Sequence, residues 1–540
     1  MVRIASYVLS VGLVIFFATA LSSCSKENTT SSQLVVGIDT EPERFDPLTM
    51  KNPKNFIVSW QIFEGLLSLD SKGQIVPMLA ESWETADNQT WRFHIRKGVR
   101  FHDAAFFGSS GRGRELTAED VVSSYTSFCS ASAYPAFLLM DSIAGCADYN
   151  IGKATSVEGI QQVDRYTVDI RLLQPEPFFL NRLTTAWIAI YPLEANAKEN
   201  RDNWGLQTAV GTGPYRLVSR SDSEIVLEHN EDYWGKFAEN PVSQIVFRVI
   251  KSDPVRLAEF EKGRIDMMLV PYSLFPQILD SGGSVKAKYA NRFRSQSFAT
   301  FNIHMLGFNL NQVPDVHLRR AMSLGFDRQQ IVDHLFSGLA DITLGAVPPG
   351  MNGYVSPLTV EASYDPEQAR VELSKSGYKE GAAVELLVHE QAGSEQIGQL
   401  FQSQMKEFGI DVKLTKLDFN SVLGRMVKGD AQMFSMYFDY VLSSPEPVLI
   451  NLFSSPKQPV PNFWQFSDPE TDSLLESLRT VPRSEAKKVS AEIERRVADQ
   501  APAIFLFRLR QMALYSSRFD GLTINPHGFF AFQSMTTAEK

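Results

Sequence analysis

Alternating hydrophobic runs and capped helices follow one another from about residue 34 to the C-terminus, with no low-complexity linker or internal repeat between them. Strands interleaved with helices must bury their apolar faces against each other, so the chain is constrained to mixed α/β domains. "TWRFHIR" places Trp91, Phe93 and Ile95 on one face, and "YTVDIRL" does so with Tyr166, Val168, Ile170 and Leu172. "SEIVLEHN", "SQIVFRVI", "AVELLVH" and "DVKLTKL" are further short strands. Thr117 with Asp120 three positions on caps the helix "VVSSYTSF". Asp365-Pro366 opens a helix that Gly377 ends, and a helix from Ser394 to Phe408 closes at Gly409.

A chain of 540 residues exceeds one core and implies two or three domains. Without a linker to divide them, those domains are expected to be discontinuous. The net charge of −10 and the lack of a basic stripe exclude nucleic acid as the main partner. No run beyond residue 24 is long and apolar enough to span a bilayer.

"MVRIASYVLSVGLVIFFATALSSC" reads as an export signal: Arg3, an apolar stretch, then Leu21-Ser22-Ser23-Cys24. Those four residues resemble a lipobox, in which Cys24 is lipidated; the alternative is a plain signal with an incidental cysteine. Residues 25–33, "SKENTTSSQ", form a polar tether. Cys129 and Cys146 remain, either a disulfide formed in an oxidising compartment or two buried thiols. Too few neighbouring ligands accompany them for a metal site, and no cofactor is implied.

Signals of catalysis are poor, with no G-x-S-x-G elbow and no H-E-x-x-H helix. His94 and His102 make no ligand pair, and His304, His334 and His389 are scattered. The loop "AAFFGSSGRGR" lacks phosphate-loop spacing and reads as a flexible surface insertion. "DAQMFSMYFDY" ends a strand-like run on Asp439, where a carboxylate is costly without compensation. It either caps the turn before "LSSPEP" or meets a positive partner.

"LAESWETADNQTWRFHIRKGVRFHD…LTAEDVVSSY", "FEGLLSLD", "GTGPYRL", "NEDYWG", "LAEFEKGRIDM", "LRRAMSLGFDRQQIV" and "SDPETDSLLESL" together resemble the oligopeptide- and dipeptide-binding proteins of ABC importers, the family 5 extracellular solute-binding proteins. The likeness covers nearly the whole mature chain in the family's order. It implies a bilobed type II periplasmic-binding-protein fold with three domains and a ligand cleft between lobes that close by hinge motion. Domain I would comprise residues 34–66, 189–292 and 500–540, domain II 67–188 and domain III 293–499. The implied role is the lipid-anchored, monomeric substrate-binding component of a peptide importer in the cell envelope. Its partners would be a peptide ligand, a permease and an ATPase subunit.

By the same resemblance, Asp439, followed by Tyr440, would hold the peptide amine. Met436, Tyr437 and Phe438 would supply strand backbone and pocket wall. Some relatives carry an arginine for the peptide carboxylate six residues before the aspartate, where this chain has Met433. Arg508 and Arg510, on one face of "AIFLFRLRQM", are the candidate substitutes; the alternative is a solvated strand edge. Relatives of this fold also bind murein peptides, nickel chelates, haem or oligosaccharides. From other classes, an exported carboxylate-dependent hydrolase and a surface adhesin or sensor are the rivals.

Overall fold

A computed structural model describes residues 32–351, 354, 363–390, 393–455 and 462–537. The export signal, Cys24 and most of the tether lie outside the described residues. Among the described residues, no helix is long and apolar enough to cross a membrane.

A twelve-stranded sheet forms the frame. Its path runs Val412–Lys416, Val384–Val388, Met433–Asp439, Asn302–Phe308, Ala503–Ser516, Met267–Leu269, Gln33–Ile38, Gln244–Val249, Glu224–His229 and Tyr215–Arg220. Phe293–Ala299 and Ala340–Ile342 join it by pairing with Ala503–Ser516. A separate four-stranded sheet combines Ala80–Glu84, Thr90–Ile95, Thr167–Arg171 and Ile160–Asp164. Trp91, Phe93, Ile95, Val168 and Ile170 are all buried there, as their alternation requires.

Ala503–Ser516 is long for a strand and serves both lobes. Its residues from Ala503 to Phe507 pair antiparallel with Asn302–Phe308. From Arg510 to Ser516 it pairs instead with Phe293–Ala299, and Ala513–Tyr515 also pair with Met267–Leu269. The changeover falls at Leu509, whose N–H donates to the Asn302 side-chain oxygen at 2.9 Å and whose carbonyl accepts from the Asn302 amide at 3.0 Å. One asparagine thereby replaces the ladder bonds missing at the pivot.

Several of the quoted motifs meet in space. Glu64 of "FEGLL" is fully buried and accepts from Thr212 (2.7 Å), Tyr233 (3.0 Å) and Trp234 (2.8 Å). Those donors come from "GTGPY" and "DYWG". Gly211 and Gly213 let that loop lie against the preceding helix, because a Cβ at either would collide with the Ile62 or Gln61 carbonyl oxygen. "LRRAMSLGFDR" contributes Arg319 and Arg328, both buried and both bonded to backbone carbonyls, including Ala501 just before the shared strand and Phe505 near its start.

The helix read from Thr117 spans Ala118–Phe128 with its capping box formed. Arg114 ends the glycine-rich loop by pairing with Asp120 and Glu194 at 2.5 and 2.6 Å, so this end of the expected insertion is tied down. The helix expected over 394–408 spans Ser394–Lys406, and Gly409 turns the chain with φ +73°. Cys129 and Cys146 are joined as a disulfide.

Candidate ligand-binding site

Met433–Asp439 alternates in the pleat. Met433, Ser435, Tyr437 and Asp439 share one face; Phe434, Met436, Phe438 and, just beyond, Tyr440 share the other. The second face packs into an aromatic cluster, with Phe434 stacked on Trp464 at 5.4 Å and Phe438 on Tyr440 at 6.5 Å. Tyr440 also donates its hydroxyl to the Ala346 carbonyl at 3.0 Å.

One edge of this strand pairs along its full length with Asn302–Phe308. The other pairs with Val384–Val388 only at Met433 and Phe434. Beyond that, the His389 ring bonds the Ser435 backbone. The Tyr440 N–H donates to the Phe301 carbonyl at 2.6 Å, on the fully paired side. Backbone groups alternate along a strand, so those of Tyr437 and Asp439 point to the opposite edge. Among the described residues, no strand occupies that edge past Phe434.

Asp439 ends the free edge. Its side chain is exposed at the strand end, and the desolvation by nearby protein raises its pKa above the ordinary carboxylate value. Among the described residues no cation is paired with it. Tyr437, half-buried beside it, has its hydroxyl pKa raised first by burial and then by the Asp439 charge.

Met433 does not join this edge. It is fully buried against Phe308 and Leu386, roughly 20 Å along the strand from Asp439 at ~3.4 Å per residue. Met433, listed with the candidate ligand-binding residues as the position where some relatives have the arginine, is a core-packing residue in this fold. Met436 is likewise buried, on the face away from Asp439.

Arg508 and Arg510 flank the pivot at Leu509. Arg508 donates to Asp341 at 2.8 Å and to the Pro349 carbonyl; Arg510 reaches the same Asp341 at 3.5 Å and Ser297 at 3.0 Å. Leu509, Asn302 and Asp439 form one row across three strands, so alternation points both arginines to the opposite face. This arrangement braces the pivot, with Arg510 bonded to strands from both sides of it.

Tyr272 and Phe336 carry no signal in the sequence; in the fold His304 contacts Tyr437 and Phe507, Phe507 contacts Phe336, and Phe336 contacts Tyr272. His304, one of the scattered histidines, is a core residue whose imidazole burial pushes down to about 3. The signal for it was its place in "FNIHMLGFN", a strand buried at every position. Among the described residues, no three His, Cys, Asp or Glu side chains cluster as metal ligands.

Comparison with known proteins agrees with this architecture. Residues 74–459 match the family model "Bacterial extracellular solute-binding proteins, family 5 Middle". Di/tripeptide-binding protein 1 of Pseudomonas aeruginosa is 24% identical over 493 residues, covering 87% of this chain and 88% of its own. The dipeptide-binding protein of Escherichia coli is 24% identical over 554 residues, covering 98% of each chain. The unliganded open form of the periplasmic murein tripeptide-binding protein MppA superposes with a TM-score of 0.81 at 21% identity, covering 94% of this chain and 98% of that one. The bilobed α/β fold, the sheet shared between lobes and the match over most of the chain lead to one conclusion: this protein belongs to the family 5 bacterial extracellular solute-binding proteins.

Proposed function

We propose that this chain is the lipid-anchored receptor of an ABC peptide importer, capturing short peptides in the cell envelope and handing them to a permease. The observation that carries the reading is the edge of Met433–Asp439 left unpaired among the described residues, which ends on a carboxylate with no cation paired to it among them. An extended peptide can add to that edge through main-chain hydrogen bonds, which give affinity without reading side chains. Its α-ammonium then meets Asp439. Tyr437, on the same face, forms the wall beside the first residue. Phe438 and Tyr440, stacked on the other face, stiffen the strand end. Curated relatives named for di- and tripeptides support this ligand class.

The chemistry calls for binding and release without turnover, and Cys24 is the residue we assign to the lipid. Arg508 and Arg510 act on the pivot rather than on the ligand carboxylate. Mass spectrometry of ligands released from protein purified out of its own cell tests the reading. Peptides with free amino termini are expected; recovery of a non-peptide solute as the sole bound species would overturn it.

A further inference from the structure

Glu494 is buried near the end of the helix Arg483–Gln500. Its carboxylate accepts the Val347 N–H at 2.9 Å and a second N–H from Ala346. Both donors belong to the loop 343–351, which follows the strand Ala340–Ile342. Ala346 and Val347 are buried too, so without the carboxylate their N–H groups would lose an acceptor away from water. Ser490, one turn earlier on the same helix face, is buried with its hydroxyl unpartnered among the described residues, and adds no donor to a charge there.

The same loop holds the end of the strand Met433–Asp439. The Ala346 carbonyl accepts the Tyr440 hydroxyl at 3.0 Å, and Tyr440 directly follows Asp439. The Pro349 carbonyl accepts from Arg508 beside the pivot. The Gly350 carbonyl lies against Gly73, where an added Cβ would come within 3.1 Å of it. One loop thereby joins the helix, the strand end and the pivot.

We infer that Glu494 is a positioning residue for the amine anchor: by fixing the Ala346–Val347 amides it sets the loop that braces Tyr440, and so the place of Asp439. The inference rests on the peptide reading above. Groups packed behind a binding residue fix its geometry, and through it the affinity.

Ionisation gives this role a signature. Among the described residues no cation acts on Glu494, and burial outweighs its two donors, pushing its pKa up to about 7. The Tyr440 and Tyr354 hydroxyls sense its charge. On the helices packed against Arg483–Gln500, Asp468 and Glu470 pair with Arg496, while Glu446 senses Arg182, Glu176 and Arg479. Opening the loop to water returns the carboxyl toward 4.5, so the docked loop binds more protons between about pH 4.5 and 7. Docking therefore weakens as pH rises through that window, by at most about three-hundredfold, and is constant above it.

Calorimetry of tri-alanine on the intact chain at pH 5.5 and 8, with Glu494→Gln and Glu494→Ala alongside, tests the inference. Glutamine keeps an acceptor for Val347 without a charge, and the titration of Asp439 cancels in a ratio of the two proteins. The affinity of Glu494→Gln relative to wild type should rise at least about fivefold from pH 5.5 to 8. Glu494→Ala, with no acceptor, should bind at least about tenfold weaker than Glu494→Gln at both pH values. In the ligand-free wild type, exchange of the Val347 amide should quicken at least about fivefold relative to Glu494→Gln over the same range. A constant affinity ratio overturns the inference, as does unchanged Val347 exchange or a Glu494→Gln that binds as weakly as Glu494→Ala. Should Glu494→Ala fail to fold, the Glu494→Gln ratio and the exchange decide. Failure of the peptide reading looks different: tri-alanine then binds none of the three proteins, while Val347 exchange still responds to pH.

Discussion

Glu64 and Asp439 are both carboxylates whose pKa burial raises, and they differ in what surrounds them. Glu64 collects three donors from two distant motifs, yet its burial still pushes it up to about 7. Asp439 is exposed at a strand end and meets no cation among the described residues. The first acid is satisfied from within and holds the frame together. The second is left open, and the satisfaction it lacks is what a ligand ammonium can provide.

Removing each acid separates the two roles. Glu64→Ala leaves the Thr212, Tyr233 and Trp234 donors without their acceptor, and should cost about 3–6 kcal/mol of stability by urea unfolding. The folded fraction should still bind tripeptides normally. Asp439→Ala should do the reverse, weakening tripeptide binding several-hundredfold, about 3–5 kcal/mol, by calorimetry while leaving unfolding unchanged or slightly later. A variant of Asp439 that unfolds as early as Glu64→Ala would erase the distinction.

Titration sharpens the contrast further. The folded pKa of Glu64 lies above its unfolded value of 4.5, so the folded state binds more protons between about pH 4.5 and 7. Its contribution to stability therefore falls as pH rises through that window, by about 3 kcal/mol at most, and is constant above it. Buried His102, His304 and His527 have lowered pKa values and act oppositely, losing stability as pH falls below their unfolded value of 6.5. The clean readout is therefore the stability difference between wild type and Glu64→Gln against pH. For Asp439 the sign is inverted in binding: its carboxylate must be ionised to hold an ammonium, so tripeptide affinity should rise with pH through its raised pKa.

The smallest effect is expected at the pivot. Arg510→Ala should change tripeptide affinity by less than about fivefold, because a half-exposed guanidinium shared with Asp341 and Ser297 contributes little on its own. A loss matching that of Asp439→Ala would return Arg510 to the ligand.

Much of the frame was legible in the amino-acid order. The period-two runs at Trp91–Ile95 and Val168–Ile170 became strands because alternation is a local property. The motifs "FEGLL", "GTGPY" and "DYWG" signalled the family before their meeting at Glu64 explained why they travel together. The candidate site was legible only at Asp439, an acid out of place at a strand end. The burial of Met433 was not legible, because it depends on pairing with Phe308 and Leu386, which no local pattern reports. Arg508 and Arg510 looked free because Asp341 lies more than 160 residues away in sequence. Tyr272 gave no signal, since its neighbours are assembled by tertiary structure alone.

Calorimetry of one tripeptide and its N-acetylated form, against wild type and Asp439→Asn, tests the central claim most directly. Acetylation should weaken binding to wild type by at least a hundredfold, Asp439→Asn should lose about as much, and the variant should no longer distinguish the two ligands. If wild type binds the acetylated peptide as tightly as the free one, Asp439 is not the amine anchor and the account fails.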